Sequence, residues 1–354
     1  MHPALQTVMQ QRLGCRAPII QTAMGWIATP QLVAATCNAG GFGFIAGATT
    51  PLKDMEAVIL QTKSLTDRPF GLNAHLYMAG AEAIVDLVIK HQIKAVSYGR
   101  GPNKQLIKKL KDAGVLCIPT VGAVKHAIKA QELGADMVVI QGGEGGGHTG
   151  AVPTSLLLPQ VLDAVKIPVI AAGGFRDGRG LAAALAFGAV GIAMGTRFLM
   201  TADSPVPRTT LDRYIKAQVD QVIVSDKLDG LPQRMIMNEV LTELENASKI
   251  GLVYRGLKSG LAFRKLIGVS MFDMVKSAWG MARSGDSTLG QTLMAALAPV
   301  LIQRSVVEGR PSEGVLPSGQ VAGLIDDLPT CKELIDRIVT EAEARLTALT
   351  AARV

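Results

Sequence analysis

The sequence lacks the features that mark secreted, membrane-spanning and metal-clustered proteins. Its four cysteines, Cys15, Cys37, Cys117 and Cys331, are far apart, and no C-x-x-C or Cys/His cluster accompanies them. This spacing argues against a disulfide framework and against a bound metal. No apolar run reaches the ~18 residues of a membrane span, and residues 1–15 contain no apolar signal-peptide core. We therefore expect free thiols, no metal, no membrane association and a cytoplasmic location.

Charged and aromatic residues are also scarce. They make up 18% and 4% of the 354 residues, whereas 48% are hydrophobic and 38 are glycine. Such a chain can bury a large core, in one large domain or two of ordinary size, and disorder is not expected. The formal net charge is +7, but the basic residues are scattered. Without an aromatic-studded basic stripe we expect no nucleic-acid binding. The positive charge instead suits an anionic small molecule, such as a phosphate-bearing one.

Short apolar segments alternate with segments of helical periodicity between residues 18 and 197. The eight candidate strands are 18–24, 42–48, 70–76, 95–99, 116–122, 137–142, 168–174 and 191–197. The seven candidate helices between them are 29–39, 53–64, 81–91, 103–113, 123–133, 155–165 and 178–187. Gly114, Gly134 and Gly188 each follow a candidate helix and are typical of helix C-caps.

Strict strand–helix alternation predicts an α/β fold with a parallel sheet and helices outside it. Eight units indicate a closed (β/α)8 TIM barrel. The alternative is an open doubly wound sheet, which usually has a glycine-rich turn after its first strand. Here residues 21–26 read Gln-Thr-Ala-Met-Gly-Trp at that place, so the barrel is favoured.

The character of the sequence changes after the eighth unit, which predicts three domains. Residues 1–204 form the barrel, 205–310 an added small helical domain that binds substrate or acts as a lid, and 311–354 a segment that returns to the barrel. The helical prediction rests on residues 206–224, 238–250, 263–285 and 289–309. The final segment, from Cys331, is an amphipathic helix with Thr330 as a candidate N-cap, and we expect it to be the eighth barrel helix.

Barrel enzymes assemble their sites at the carboxyl ends of the strands. Strand seven ends in Gly173 and Gly174, and strand eight in Gly195 and Thr196. Their N–H groups and one hydroxyl suit a phosphate, although tight turns alone also need glycine.

Two amides extend the candidate site. Asn73 and Gln141 lie in otherwise apolar strands, and each must bind either a ligand or a neighbouring strand. Together with a phosphate site and no metal cluster, they indicate a phosphate-bearing heterocyclic cofactor, and FMN is the simplest choice.

The loop after strand six is the densest concentration of glycine in the chain. Residues 142–150 hold six glycines, with Glu144 and His148 among them. Bare backbone of this kind allows a reacting group to approach closely. His148 is the candidate base, the alternative being a surface-loop histidine, and Glu144 is a second polar contact or a loop-orienting partner. The G-x-G-x-x-G spacing at 145–150 is a coincidence, because Pro153 follows and no acidic strand end appears downstream.

Three segments resemble the nitronate monooxygenase (2-nitropropane dioxygenase-like) flavoproteins: residues 18–46, 142–150 and 167–199. The resemblance implies an FMN-dependent TIM barrel with a helical domain. It implies that His148 abstracts the substrate's carbon-bound proton. It also implies the cofactor-binding residues, which are Gly173, Gly174, Gly195 and Thr196 around the phosphate, Ala23, Met24, Gly25, Asn73 and Gln141 around the flavin ring, Gly146 and Gly147 in the glycine loop, and Gln320 in a late segment.

Within that family, the triple glycine before His148 and residues 314–339 most resemble a subgroup from bacterial steroid C/D-ring degradation, which acts on an acyl-CoA. Three hypotheses follow. The first is nitronate-monooxygenase chemistry with O2 as oxidant. The second is an FMN-dependent dehydrogenase or reductase of an indanone-type acyl-CoA, with NAD(P)H:quinone or enoyl reductases as further relatives. The third is a ligand-binding barrel without turnover. A small-molecule substrate is the expected partner, and a homo-oligomer is left open.

Overall fold

Eight parallel strands close into a barrel in the computed structural model, which describes residues 2–78, 80–99, 101–247 and 289–351. The barrel strands follow one another around the ring in the order of the chain. They are β1 (Ile19–Gln21), β2 (Phe42–Ile45), β3 (Gly71–Asn73), β4 (Ala95–Tyr98), β5 (Leu116–Val121), β6 (Val138–Gln141), β8 (Val169–Ala172) and β9 (Ile192–Met194), while β7 (Gly147–His148) lies outside the ring.

Helices connect the barrel strands, as the alternating pattern predicts. They are α1 (Val8–Leu13), which precedes β1, and then α2 (Pro30–Asn38), α3 (Leu52–Leu65), α4 (Ala81–Lys90), α5 (Lys104–Asp112), α6 (Val124–Glu132), α7 (Thr154–Ala164), α8 (Gly178–Phe187) and the short α9 (Thr196–Leu199). Gly114, Gly134 and Gly188 have φ values of 75°, 90° and 106°, which confirms the predicted C-cap positions. The prediction of a TIM barrel is confirmed.

The barrel interior is filled with apolar side chains. Phe42, Phe44 and Ile118 are almost fully buried in it, and Met9 and Leu13 of α1 join the same cluster. Each β-strand therefore contributes one face to this interior and the other to the layer of helices, which explains why the strand sequences read as continuous apolar runs.

The last helix, α13 (Cys331–Ala351), packs against α8 and α2, as predicted for the eighth barrel helix. A capping box starts it: the N–H of Thr330 donates to Glu333 Oε2 at 2.8 Å, and the N–H of Glu333 donates to Thr330 Oγ1 at 3.2 Å. A Cβ at Gly178 would lie 2.4 Å from the backbone nitrogen of Ala342, so only glycine allows this close approach of α8 and α13.

The described chain divides into two compact units. The first, which contains the barrel, comprises residues 1–145, 149–205 and 324–354, and the second comprises residues 146–148 and 206–323. The predicted domain boundaries at residues 204 and 310 stay a prediction. Among the residues that the structure describes, no helix is long and apolar enough to cross a membrane. All four cysteines are free thiols, as expected from their spacing.

The second unit is a mixture of helices and a small antiparallel sheet. Its elements besides β7 are α10 (Arg208–Lys216), β10 (Val222–Ser225), β11 (Gln233–Ile236), α11 (Glu239–Asn246), α12 (Leu289–Val306) and β12 (Leu316–Pro317). In the sheet, β11 pairs with β10 on one side and with both β7 and β12 on the other. Met235, Leu241 and Val315 are fully buried in the core of this unit.

The helical prediction for the second unit is wrong at one place. Residues 222–224 were expected to continue a helix, but α10 ends at Lys216 and Val222–Ser225 is a strand. The run Val-Ile-Val is β-branched, which disfavours helix and favours a strand once a partner such as β11 is present. The predicted helices at 238–250 and 289–309 are present as α11 and α12 within the described residues, whereas the one at 263–285 lies outside them.

A buried cation anchors the C-terminal segment to the barrel. Arg197, at the start of α9, is only 3% exposed. Its Nη1 donates to Asp327 Oδ1 at 2.9 Å, and Arg337 Nη1 donates to Asp327 Oδ2 at 2.7 Å. Partial burial opposes ionisation of Asp327, but the ion pairs with Arg337 and Arg197 outweigh it and hold the pKa of this carboxyl below its ordinary value.

Replacing Asp327 with asparagine is expected to lower the free energy of unfolding by about 1–2 kcal/mol, because Arg197 would keep its buried charge without a counter-ion. The loss is smaller than for a fully buried pair, since the Asp327 side chain is 38% exposed. Urea unfolding measures it, and Asp326→Asn at an exposed neighbouring position is the matched control. Because the folded-state pKa is lowered, the stabilisation exists above the unfolded pKa of about 3.9 and disappears in acid. A difference that persists at acid pH contradicts this explanation.

Candidate active site

The residues predicted around the flavin ring and the phosphate follow or end barrel strands. Ala23, Met24 and Gly25 come shortly after β1, Asn73 ends β3 and Gln141 ends β6. Gly173 and Gly174 follow β8, and Gly195 and Thr196 follow β9. Because all eight strands of the ring are parallel, these nine residues lie at the same, carboxyl end of the barrel.

The backbone after β8 has a conformation that favours glycine. Gly173 and Gly174 have φ values of 104° and 80°, which L side chains adopt only with strain. A Cβ at Gly174 would lie 3.5 Å from Glu144 Cβ and 3.7 Å from Glu144 Cγ. The turn therefore brings bare backbone to the rim of the barrel, as a phosphate-binding loop requires.

The loops after β1 and β9 lie close together. A Cβ at Gly195 would lie 3.1 Å from Thr22 Oγ1 and 3.5 Å from Met24 Sδ. Trp26 adopts φ 60°, a strained conformation for a non-glycine residue that is often found at functional sites. Gln21, fully buried at the end of β1, has a side-chain oxygen without a hydrogen-bond partner among the described residues.

The two predicted amides differ in their surroundings. Asn73 Nδ2 donates to Ser97 Oγ at 2.9 Å and to the Ser97 carbonyl at 3.2 Å. Asn73 therefore binds the neighbouring strand, which is one of the two roles predicted for it. Gln141 lies against the glycine loop, where a Cβ at Gly145 would be 2.6 Å from Gln141 Nε2. Glycine at 145 thus leaves room for the Gln141 side chain at the barrel end.

The first half of the glycine loop is held by Thr154 and Glu144. The Glu144 carboxylate accepts from the Thr154 N–H at 2.9 Å and lies 2.8 Å from Thr154 Oγ1. The same hydroxyl lies 3.1 Å from the carbonyl oxygen of Gly173. A Cβ at Gly142 would clash with the Thr154 hydroxyl, so this position requires glycine. Glu144 is therefore a loop-orienting hydrogen-bond partner, the second of the two roles considered for it.

His148 lies on β7, in the second unit, and pairs across the sheet with Gln233 of β11. Its Nε2 lies 2.8 Å from Asp229 Oδ2, and Gln233 Nε2 donates to the same oxygen at 2.6 Å. The His148 side chain is 48% exposed and that of Asp229 only 12%. The candidate base thus presents part of its ring to solvent while a largely buried carboxylate holds the ring.

The surroundings of Asp229 favour its ionised form. Burial opposes its ionisation, but hydrogen bonds from His148 and Gln233 outweigh the burial and lower the pKa of the carboxyl. Asp229 and Gln233 were missed by sequence reasoning as members of the site. No local spacing relates Asp229 to a histidine 81 residues away, and only the pairing of β7 with β11 brings them together.

The remaining predicted residues surround β7 in the second unit. Because β7 and β12 share one edge of β11, the glycine loop meets the late segment: a Cβ at Gly146 would lie 2.5 Å from the Gly319 nitrogen. Gln320 follows at the start of a short 3-10 helix, Gln320–Leu324. Gly147 has φ 64°, and a Cβ added there would meet no atom of the described residues within 4 Å. The second unit thus gathers His148, Gly146, Gly147 and Gln320, and the barrel unit gathers the other nine.

The first unit is a closed parallel barrel with glycine turns and polar side chains at the carboxyl ends of its strands, which is the architecture of barrel enzymes. The sequence model of the nitronate monooxygenase family matches residues 6–84 and 77–341. The chain therefore belongs to the nitronate monooxygenase family, and it is an oxidoreductase.

Curated relatives fall into two groups. A (3aS,4S,5R,7aS)-5-hydroxy-7a-methyl-1-oxo-octahydro-1H-indene-4-carboxyl-CoA dehydrogenase of Rhodococcus jostii is 48% identical over 349 residues, which is 99% of each chain. The enzyme of that name from Mycobacterium tuberculosis is 47% identical over 97% of each chain. A probable nitronate monooxygenase of Staphylococcus aureus is 32% identical over 67% of this chain and 79% of its own. The predicted likeness to the steroid-degradation subgroup is confirmed.

Solved structures share the fold over almost the whole chain. FabK from Thermotoga maritima superposes with a TM-score of 0.80 at 30% identity and covers 98% of this chain and 99% of its own. A nitroalkane oxidase from Streptomyces ansochromogenes gives a TM-score of 0.77 at 25% identity, with 96% and 99% covered. Both similarities extend beyond the barrel strands to the full length of those proteins.

Proposed function

We propose that this chain is an FMN-dependent dehydrogenase of a bicyclic hydroindene-carboxyl-CoA, with His148 as the base. The observation that carries the proposal is the 48% identity over 99% of both chains with a dehydrogenase named for that substrate. A match over 99% of both chains includes the predicted substrate or lid domain at residues 205–310. The positive net charge of +7 suits the phosphates of CoA.

The carboxyl end of the barrel suits FMN. The turns at Gly173–Gly174 and Gly195–Thr196 offer backbone N–H groups and one hydroxyl to a phosphate. Asn73 and Gln141 provide polar atoms for a heterocycle. When bound, FMN would supply the acceptor for the two electrons of the oxidation.

The role of His148 follows from the chemistry of the substrate. A thioester carbonyl acidifies the carbon next to it, and a neutral imidazole is the side chain best suited to accept such a proton near neutral pH. His148 has a half-exposed ring that can meet a substrate and a carboxylate, Asp229, that stabilises the ring once it is protonated. These are the properties that a general base needs.

Oxidation of nitronates by O2 is the second candidate. The match to the nitronate monooxygenase family model and the 32% identity with the Staphylococcus aureus protein favour it. A nitroalkane, like a thioester, has an acidified carbon–hydrogen bond, so one base and one flavin would suit either substrate. The shorter match to these relatives makes this candidate the weaker one.

An anaerobic titration distinguishes the two candidates. The hydroindene-carboxyl-CoA is expected to bleach the flavin band near about 450 nm at least 10-fold faster than a nitronate does, because the thioester acidifies the reacting carbon and CoA contributes binding energy. The free acid without CoA is the matched control and should react slowly. Bleaching by the nitronate alone, with rapid recovery in air, contradicts the dehydrogenase and favours the monooxygenase.

A further inference from the structure

Asp229 accepts hydrogen bonds on both carboxylate oxygens. The Leu231 N–H donates to Oδ1 at 3.1 Å, and Gln233 Nε2 donates to Oδ2 at 2.6 Å. His148 Nε2 is the third neighbour, 2.8 Å from Oδ2. Two of these three groups, the Leu231 N–H and Gln233 Nε2, can only donate. Asp229 is therefore the acceptor in both contacts.

An accepting carboxylate determines which nitrogen of His148 carries the proton. A neutral imidazole has one N–H and one nitrogen with a lone pair. Asp229 already accepts from the Leu231 N–H on Oδ1 and from Gln233 Nε2 on Oδ2, and accepted hydrogen bonds favour the ionised carboxylate at neutral pH, so it has no proton to offer. Nε2 must therefore be the donor, and Nδ1 carries the lone pair.

We propose that Asp229 is a positioning residue that holds neutral His148 as the Nε2–H tautomer, so that Nδ1 is the atom that takes the substrate proton. This inference rests on the proposed role of His148 as the base. It adds the identity of the reacting atom and of the group that selects it.

The proton transfer is balanced without a further reactant. The carbon–hydrogen bond next to the thioester breaks, its electron pair stays on the substrate as the enolate, and the proton forms a new bond to Nδ1. His148 then carries a positive charge, which Asp229 stabilises through the Nε2–H bond. The β7–β11 pairing at His148 and Gln233 fixes the backbone on both sides of this contact, so the ring is held at both ends.

The tautomer can be measured on the protein without flavin or substrate. The chain has five histidines, so protein labelled with 15N-histidine gives five pairs of ring signals, and the pair that disappears in His148→Asn belongs to His148. In mildly alkaline buffer the wild type is expected to show Nε2 protonated and Nδ1 unprotonated. The reverse tautomer in the wild type overturns the proposal whether or not any variant folds.

Asp229→Asn tests the consequence. Its carboxamide can donate to Nε2, so the His148 proton is expected to move toward Nδ1 and the rate of flavin reduction to fall about 10- to 10³-fold. The primary isotope effect with an α-deuterated acyl-CoA should rise, because proton transfer becomes slower. Asp226→Asn, at an exposed position on the same segment, is the matched control and should leave rate, isotope effect and tautomer unchanged.

The outcomes separate this inference from the proposed function. A slower Asp229→Asn with a changed tautomer and a larger isotope effect supports the inference. A slower variant with an unchanged tautomer assigns Asp229 a merely structural role and overturns it, as does a variant that is as fast as the wild type. If His148→Asn itself reduces flavin at the wild-type rate, His148 is not the base and the proposed function is wrong in that respect. Results with Asp229→Asn alone cannot give this outcome, because they test only the positioning role.

Discussion

Replacing His148 with asparagine is expected to lower the rate of substrate-dependent flavin reduction about 10²–10⁴-fold, the usual contribution of a general base. Asparagine can keep a hydrogen bond to Asp229 but cannot accept a proton at neutral pH. Stopped-flow absorbance under anaerobic conditions measures the loss. FMN content should stay unchanged, because the substitution leaves the predicted phosphate-binding turns, Gly173–Gly174 and Gly195–Thr196, untouched.

His126→Asn is the matched control, since His126 is an exposed histidine on α6. It should reduce flavin at the wild-type rate. If His148→Asn is as fast as this control with the acyl-CoA and with the nitronate, His148 is not the base. If neither substrate reduces the flavin of the wild type, a ligand-binding barrel without turnover becomes the better hypothesis. A variant that has lost its FMN would instead point to a role of the glycine loop in cofactor retention.

The barrel could be predicted from the sequence because its signals are local. Each strand–helix unit carries its own apolar run and, in several units, a glycine C-cap such as Gly114 or Gly188, and parallel topology then fixes which ends of the strands meet. The same reasoning located Gly173–Gly174 and Gly195–Thr196 at the rim of the barrel. Their identity as a phosphate site stays a prediction.

The second unit could not be predicted in the same way. Its four strands come from three segments that are far apart in sequence, with β7 at Gly147–His148, β10 and β11 near residues 222–236, and β12 at Leu316–Pro317. Strands of two to four residues carry almost no periodicity, and their pairing depends on non-local contacts. For that reason Asp229 and Gln233, which hold His148, were not found from spacing.

Gly174→Ala is expected to weaken FMN binding about 10- to 100-fold, which corresponds to about 1.4–2.8 kcal/mol. The new Cβ would stand on bare backbone where the phosphate is proposed to approach, and the positive φ of 80° would shift toward values that alanine prefers. Either change would move N–H groups away from the phosphate. Titration of apoprotein with FMN, followed by quenching of flavin fluorescence, measures the affinity.

Gly188→Ala separates this effect from loss of stability. Gly188 caps α8 with φ 106°, and its added Cβ would meet Leu162 Cδ1 at 3.6 Å, much as the one at Gly174 would meet Glu144 Cβ at 3.5 Å. Both variants should therefore lose about 1–2 kcal/mol of unfolding free energy through backbone strain, while only Gly174→Ala loses FMN affinity. Equal FMN affinities would mean that the turn after β8 is glycine-rich for its own geometry, and the phosphate would have to be sought elsewhere on the barrel rim.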